Sequence, residues 1–522
     1  MTTLLVAAPV LLPVLAAGVS LLLVRNAAAQ RVLTVVVLAA VLADAAVLLH
    51  RAARAPDNTA AVVDAGGWSP PLGIALVADL PATLLLTVAV LVALAVLLFA
   101  IGQGAADHAA AIALPFHPAY LLLIGGVALA FLSGDLFNLF VAFEVMLASS
   151  YVLLTVNAGE ARVRAGMTYT MTSLTSSLLF LTAVALTYAA TGTVSLAQLA
   201  ERTAALPEGV RAGLGTFLLA VFAIKAAVVP LHFWLPDGYP TAPAPITAVF
   251  AALLTKVGVY AMLRTQTLLF PRGDETWWLV TCAAILTMVV GILGAIAQDD
   301  VNRLLSFTLV SHIGFMLLGL ALGDVAGLTG TLLYVVHHIV AQASLFLVAG
   351  LLAGSTGTTS LHLMEERRRA ADAGGEPEEA GTGEGARGRR PPALTWLFLL
   401  PGLSLAGIPP FSGFIAKFAL LRAAVAEGGP AAWSLAAAAL MTSLLTLYAM
   451  LRVWRAVCSP PARLPSGAQT LTVGATGGMI LVGLALAVCA GPLADLSERA
   501  AEHLADPGSY AEERPEPAEE RP

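Results

Sequence analysis

The chain alternates long apolar runs with short polar connectors, and the runs have the length of a segment that crosses a hydrocarbon core, about 20 residues. By that measure helices are expected near 3-24, 31-50, 76-101, 112-131, 134-156, 165-190, 212-235, 243-264, 277-297, 302-322, 327-353, 394-423, 431-457 and 471-492, fourteen in all. An all-α polytopic membrane protein follows, because a chain in lipid must satisfy its backbone polar groups within each segment. The first run, MTTLLVAAPVLLPVLAAGVSLLLV, has no basic leader and is followed by further spans. It is expected to be an uncleaved helix and not a signal peptide.

Two runs carry helix breakers in their middle. FAIKAAVVPLHFWLP (222-236) contains Pro230 and Pro236 and runs on into YPTAPAPIT; AGIPPFSGFIAKFALL (406-421) contains Pro409, Pro410 and Gly413. A proline deletes a backbone hydrogen bond and frees a carbonyl. At membrane depth that is tolerated only where the chain is buried in protein or lines a wet cavity. Each break has a lysine beside it, Lys225 in one and Lys417 in the other. Paired interrupted spans in two halves are the mark of an inverted-repeat transporter with its ion path between the halves.

Composition agrees with the spans and narrows the chemistry. Of 522 residues 58% are hydrophobic and 11% charged, with a mean hydropathy of +0.86; soluble domains carry roughly 25% charge. The net charge of -6 is unevenly spread over connectors, a polar stretch at 362-392 and an acidic tail from 495. No basic recognition stripe is present, so nucleic acid is not an expected partner. Cys282, Cys458 and Cys489 lie far apart with no CxxC pair, so no metal, cluster or other cofactor is expected. With the N-terminus outside, Arg25, Arg31, Arg162, Arg164, Arg303, the 367-390 cluster, Arg452, Arg455 and Arg463 all fall inside, and the positive-inside rule favours both termini outside. The inside connector at 355-392 is charged and Gly-rich, and is expected to be disordered.

Twenty-four of the 27 basic residues are arginine, and the three lysines, Lys225, Lys256 and Lys417, all lie inside expected spans. Arginine cannot be deprotonated in a protein, whereas a desolvated lysine releases its proton readily. Intramembrane ionisable groups point to function; the alternative is that these ammonium groups statically cap broken helices or pair with buried acids. Glu144 lies mid-span in FLSGDLFNLFVAFEVMLASSYVLLT and needs a cationic neighbour, for which Lys225 is the candidate. Asp135, nine residues earlier, faces about the opposite side of that helix. It fits either an N-terminal charge stabilised by the helix dipole or a path residue.

His337 and His338 stand in GTLLYVVHHIVAQASLFLVAG, where Tyr334, His338 and Gln342 share a helix face. Adjacent histidines on a helix point about 100° apart, so a proton relay or water-organising stripe fits and a metal site does not. His312 and His232 are secondary candidates, equally well read as satisfied buried histidines. Together Glu144, Lys225, Lys256, the His337/His338 region and Lys417 make a mid-membrane row.

SGDLFNLFVAFEVMLASSYVLL, IKAAVVPLHFWLPDGYPTAPAPITAVFAALLTKVGVYAML, RLLSFTLVSHIGFMLLGLAL and LSLAGIPPFSGFIAKFALL resemble the proton-translocating antiporter-like membrane subunits shared by respiratory complex I and the Mrp (Mnh) cation/proton antiporters. The likeness runs from about 75 to 457 and looks most like the Mrp D subunit. It implies about fourteen helices with two inverted five-helix repeats and broken helices 7 and 12. The division would be 1-110 for helices 1-3, 111-265 and 277-457 for the two repeats, 471-492 for helix 14 and 495-522 for the acidic tail. It also implies that Glu144 is the glutamate of the fifth helix, Lys225 the lysine of the broken seventh and Lys256 that of the eighth. His337 and His338 would sit on the eleventh and Lys417 on the broken twelfth. The expected function is a proton-translocating subunit of a multisubunit Na+/H+ antiporter in the plasma membrane, with other membrane subunits as partners and no enzymatic step. The alternatives are the homologous proton-pumping subunit of a complex I-type dehydrogenase or membrane hydrogenase, and a purely structural subunit.

Overall fold

The computed structural model describes residues 2-55, 60-68, 73-106, 116-155, 159-270, 277-372, 392-457 and 469-506. The helices are α1 (Thr2–Leu22), α2 (Ala27–Arg54), α3 (Leu80–Gln103), α4 (Phe116–Leu132), α5 (Leu136–Thr155), α6 (Glu160–Thr191) and α7 (Leu196–Ala204). There follow α8 (Glu208–Ala226), α9 (Trp234–Gly238), α10 (Ala244–Leu269), α11 (Trp277–Ile296), α12 (Val301–Leu322) and α13 (Val325–Thr356). The last are α14 (Leu361–Asp372), α15 (Pro392–Ala406), α16 (Ser412–Glu427), α17 (Gly429–Val457), α18 (Gln469–Val488) and α19 (Ala490–Ala505). A two-stranded antiparallel hairpin, β1 (Ala61–Asp64) and β2 (Ala75–Ala78), precedes α3.

Twelve of these helices are long and apolar enough to cross a membrane; α4 and α15 are shorter apolar helices. Counting α15 with α16 across their break as one crossing, the described spans come to fourteen. α10, α12 and α13 are almost wholly buried inside the protein, whereas α1, α2 and α18 expose most of their surface. The three central helices are also the ones that carry Lys256, His312, His337 and His338, so these polar groups sit where lipid does not reach.

One short turn occurs twice. Thr191 to Leu196 reads TGTVSL and Thr356 to Leu361 reads TGTTSL. In each, a glycine in the left-handed region ends a 32-residue helix, Gly192 at φ 72° after α6 and Gly357 at φ 70° after α13. Only glycine adopts that conformation without strain. The threonine before it then reaches the carbonyl two residues on, Thr191 to Thr193 and Thr356 to Thr358. The chain next pairs with the loop preceding α5 or α12: Leu136 N donates to Val194 O (3.0 Å) and Leu196 N to Gly134 O (3.0 Å), while Val301 N donates to Thr359 O (2.9 Å) and Leu361 N to Asp299 O (2.7 Å).

Two segments differ from expectation. Residues 361-372 of the connector expected to be disordered form α14, whose Glu365 and Arg369 pair one turn apart; residues 373-391 lie outside the described residues. The stretch expected to open an acidic tail is the second half of α19, held by buried Ser497, Ala500, Ala501 and Leu504. These positions recur at helical spacing, a buried stripe among charges.

Candidate functional site

The first break follows directly from its sequence. α8 stops at Ala226, and Ala227 turns left-handed at φ 59°. Its backbone groups are nonetheless met: Val229 N donates to Thr287 Oγ1 of α11 (3.1 Å), and the Trp234 indole donates to Ile224 O (3.0 Å). Lys225, one residue before the end of α8, sends its ammonium to α6, where Nζ donates to Ser177 Oγ (2.9 Å) and Ser173 O (3.3 Å). It also stands 5.5 Å from the centre of the Phe143 ring. A cavity of about 40 Å³, lined by Lys225, Ser173, Ser176 and Tyr169 and by apolar residues that include Phe143 and Met146, adjoins it. That volume admits a water, and the ammonium and serine hydroxyls on its wall supply hydrogen-bond partners for one.

Glu144 lies on α5 next to Phe143, which lines this cavity. Among the described residues no ion pair joins it to Lys225. The expected Glu144–Lys225 pair is not closed in this structure: the ammonium turns to the α6 serine, whose hydroxyl is within reach of α8. Glu144 Oε1 is buried with no hydrogen-bond partner among the described residues.

Lys256 is fully buried on α10, its Nζ donating to Ala251 O at 2.6 Å. The end of α8 packs on α10 beside it, because Gly258 has no side chain: a Cβ there would lie 2.8 Å from Ala226 N. Gly258 stands about 200° round α10 from Lys256, so this contact sets how α8 packs on α10 without itself joining the two lysines.

Beyond Lys256 the buried groups form a continuous cluster on α12, α13, α16 and α17. His338 has neither ring nitrogen bonded among the described residues, and its ring lies 5.3 Å from that of His312. His312 is bonded at both nitrogens, Nδ1 with Tyr334 Oη (2.6 Å) and Nε2 with Thr446 Oγ1 (3.3 Å). The Thr446 hydroxyl gives its own proton to Thr442 O (2.8 Å), so it accepts from His312 Nε2–H. Tyr334 then donates to Nδ1, and the histidine is held as one neutral tautomer. His337 Nδ1 bonds Ser412 Oγ (2.9 Å) at the second break, and its ring borders two small cavities of about 20 and 10 Å³ against α18 and α19.

Lys417 completes the cluster. α15 ends at Ala406 before Gly407 (φ 88°), and α16 begins after Pro409 and Pro410. Lys417 Nζ folds back from α16 to donate to Leu405 O (3.0 Å) and Ala406 O (3.1 Å), 4.5 Å from the Phe315 ring centre. Gly413 is required here, since any Cβ would lie 1.8 Å from Ser404 O and 2.8 Å from His337 Nε2.

The secondary candidates separate. His312 belongs to the cluster. His232 sits in the first break against Phe307, ring centres 6.3 Å apart. Asp135 caps α5, with Oδ1 accepting Asn138 N (2.6 Å), as Asp300 Oδ1 caps α12 by accepting Arg303 N (2.9 Å). Thr446, Ser412, Ser177 and Trp234 carry no signal of their own in the sequence. Ser177, Thr446 and Ser412 meet Lys225, His312 and His337 from 48, 134 and 75 positions away, while Trp234 caps Ile224 from the same broken span; only a repeat search would flag one part, the twin TGTxSL turn. No group of three or more metal-ligating side chains occurs among the described residues.

Fold and site together define a polytopic membrane protein with buried and half-buried titratable side chains between its helices. The chain belongs to the NADH:quinone oxidoreductase/Mrp antiporter transmembrane family, whose model matches residues 133-369 and 387-446, a region holding every candidate residue. It is 38% identical over 452 residues, covering 86% of each chain, to the D subunit of the Na+/H+ antiporter of Alkalihalophilus pseudofirmus. A chain of the Mrp complex from a Dietzia species superposes with a TM-score of 0.84 at 32% identity, covering 98% of this chain and 99% of that one. A chain of respiratory complex I from Thermus thermophilus gives 0.77 at 25% identity, covering 97% and 100%.

Proposed function

We propose that this chain is the D-type subunit of a multisubunit Mrp Na+/H+ antiporter and that it carries protons along Glu144, Lys225, Lys256, His338, His312, His337 and Lys417. One observation carries the reading: each lysine is held by neutral acceptors, a serine hydroxyl or backbone carbonyls, and none by a carboxylate among the described residues. An ammonium in an ion pair must break the pair to release its proton, whereas these three lose only hydrogen bonds. Arginine in the same places would hold its proton.

The likeness to the antiporter D subunit, at higher identity than to the complex I chain, favours ion exchange with partner membrane subunits over a redox-driven pump and over enzymatic catalysis. We place the chain in the bacterial plasma membrane with both termini outside, on the positive-inside count. The twin turns and paired breaks support two inverted halves at 111-265 and 277-457. The test is proton and sodium flux in inverted vesicles holding the whole complex, with Glu144→Ala, Lys225→Ala and Lys417→Ala at matched abundance. Loss of flux with intact assembly is expected; retained flux would make the row structural. Co-purification with flavin or iron–sulfur subunits would instead favour the redox complex.

A further inference from the structure

A second buried charge cluster lies at the far end of α10. Lys256, Tyr260 and Arg264 fall at i, i+4 and i+8, so they line one face of the helix at about 6 Å intervals. Arg264 Nη2 lies 2.6 Å from Oδ2 of Asp79, the residue that caps α3, and also donates to Tyr260 Oη at 2.8 Å. The Tyr260 hydroxyl gives its proton to Phe131 O (2.8 Å). His503 of α19 brings Nδ1 to 3.9 Å from Asp79 Oδ2. Arg264, Asp79 and His503 are all buried. The loop after α4 is fastened beside them by Gly134 N donating to Ala75 O of β2 (2.9 Å).

This arrangement is ill suited to pass a proton. The hydroxyl proton of Tyr260 is committed to a carbonyl, its oxygen already accepts from Arg264, and a guanidinium does not deprotonate. Asp79, the carboxylate that meets that end of α10, is occupied by the arginine. Lys256 meanwhile leans back toward Ala251, away from the pair. Fixed arginines exclude protons from other membrane pores in the same way.

We propose that Arg264, by occupying Asp79, closes the α10 end of the row, so that a proton on Lys256 leaves only along the row. This rests on the conducting role of Lys256 proposed above. Removing the arginine turns Asp79 into a vacant acceptor about 12 Å along α10 from Lys256, beside His503.

The experiment measures passive proton permeability of vesicles containing the whole complex, without a sodium gradient. Arg264→Gln is expected to raise the leak about a hundredfold, the low end of what a positioned acid–base group supplies. Asp79→Asn with Arg264→Gln removes the acceptor together with the plug and is expected to stay near the wild-type leak. Arg264→Gln with Lys256→Ala is expected to lose the leak. A tight Arg264→Gln complex, or a double Asp79/Arg264 variant that leaks as much as the single one, overturns the proposal by reducing the pair to a structural tie. If Arg264→Gln does not assemble, Arg264→Lys keeps Asp79 occupied while the ammonium is charged; it is expected to stay tight near neutral pH and to leak as the pH is raised and the lysine gives up its proton, and an Arg264→Lys complex that stays as tight as the wild type at high pH overturns the proposal. Coupled exchange by Lys256→Ala alone reports on the row itself, so its failure is told apart from failure of the barrier.

Discussion

The two broken spans solve one backbone problem with different side chains. At the first break the freed Ile224 carbonyl is met by the Trp234 indole, and Lys225 is left to reach sideways to Ser177 on another helix. At the second break Lys417 itself caps the Leu405 and Ala406 carbonyls. Its charge there also complements the negative end of the α15 dipole. The first break separates structure from titration; the second puts both on one ammonium. Lys225 can therefore lose its proton at the cost of a hydroxyl contact, while each deprotonation of Lys417 weakens the joint between α15 and α16.

The largest effect should come from replacements that keep charge but refuse to release a proton. Lys225→Arg and Lys417→Arg are each expected to lower proton flux about a hundredfold, within the range of a removed proton-transfer group. Flux in vesicles at matched complex abundance is the measurement. If Lys417→Arg conducts normally, that ammonium is a cap and nothing more.

A second prediction breaks the comparison on stability alone. Lys417→Met leaves two helix-end carbonyls unmet and is expected to cost about 2 kcal/mol, the scale of lost hydrogen bonds to a charged group. Lys225→Met leaves Trp234 in place and buries apolar surface, so it should cost far less. Thermal unfolding of the purified complex distinguishes them: a lower apparent Tm for the 417 variant only. Equal losses would mean that Lys225 is as structural as Lys417. Gly413→Ala should be destabilising on a similar scale, about 1–3 kcal/mol by overpacking, because its methyl meets Ser404 O and the His337 ring. An unchanged Tm would show that the second break relaxes more easily than its geometry implies.

Much of this architecture is legible in the residues. Spans, breaks and the three buried lysines are local signals, carried by runs of apolar residues, by prolines and by residue type. The partners are not, because they arrive from elsewhere in the chain: Thr446 reaches His312 from 134 positions away and Ser177 reaches Lys225 from 48. Charge alone matches Glu144 to Lys225, and a nearby serine wins because a hydroxyl in reach needs no second buried charge. α14 reads as disordered because charge dominates its composition, and the second half of α19 reads as the start of an acidic tail. Yet i,i+4 ion pairs support the first, and a four-residue buried stripe at 497, 500, 501 and 504 docks the second.

The smallest predicted effect bears on Asp135, which the residues alone leave open between cap and path. Asp135 and Asp300 occupy the same place in the repeated turn, 60 residues before Ser195 and Ser360, and each accepts the amide three positions on. If both are caps, Asp135→Ala and Asp300→Ala should each cost about 1 kcal/mol and leave flux per assembled complex unchanged. The pair is its own control, because Asp300 also binds Thr359 and stands in the half of the chain away from the Lys225 cavity. A variant at 135 that loses flux while its twin at 300 does not would move Asp135 from the turn into the proton path.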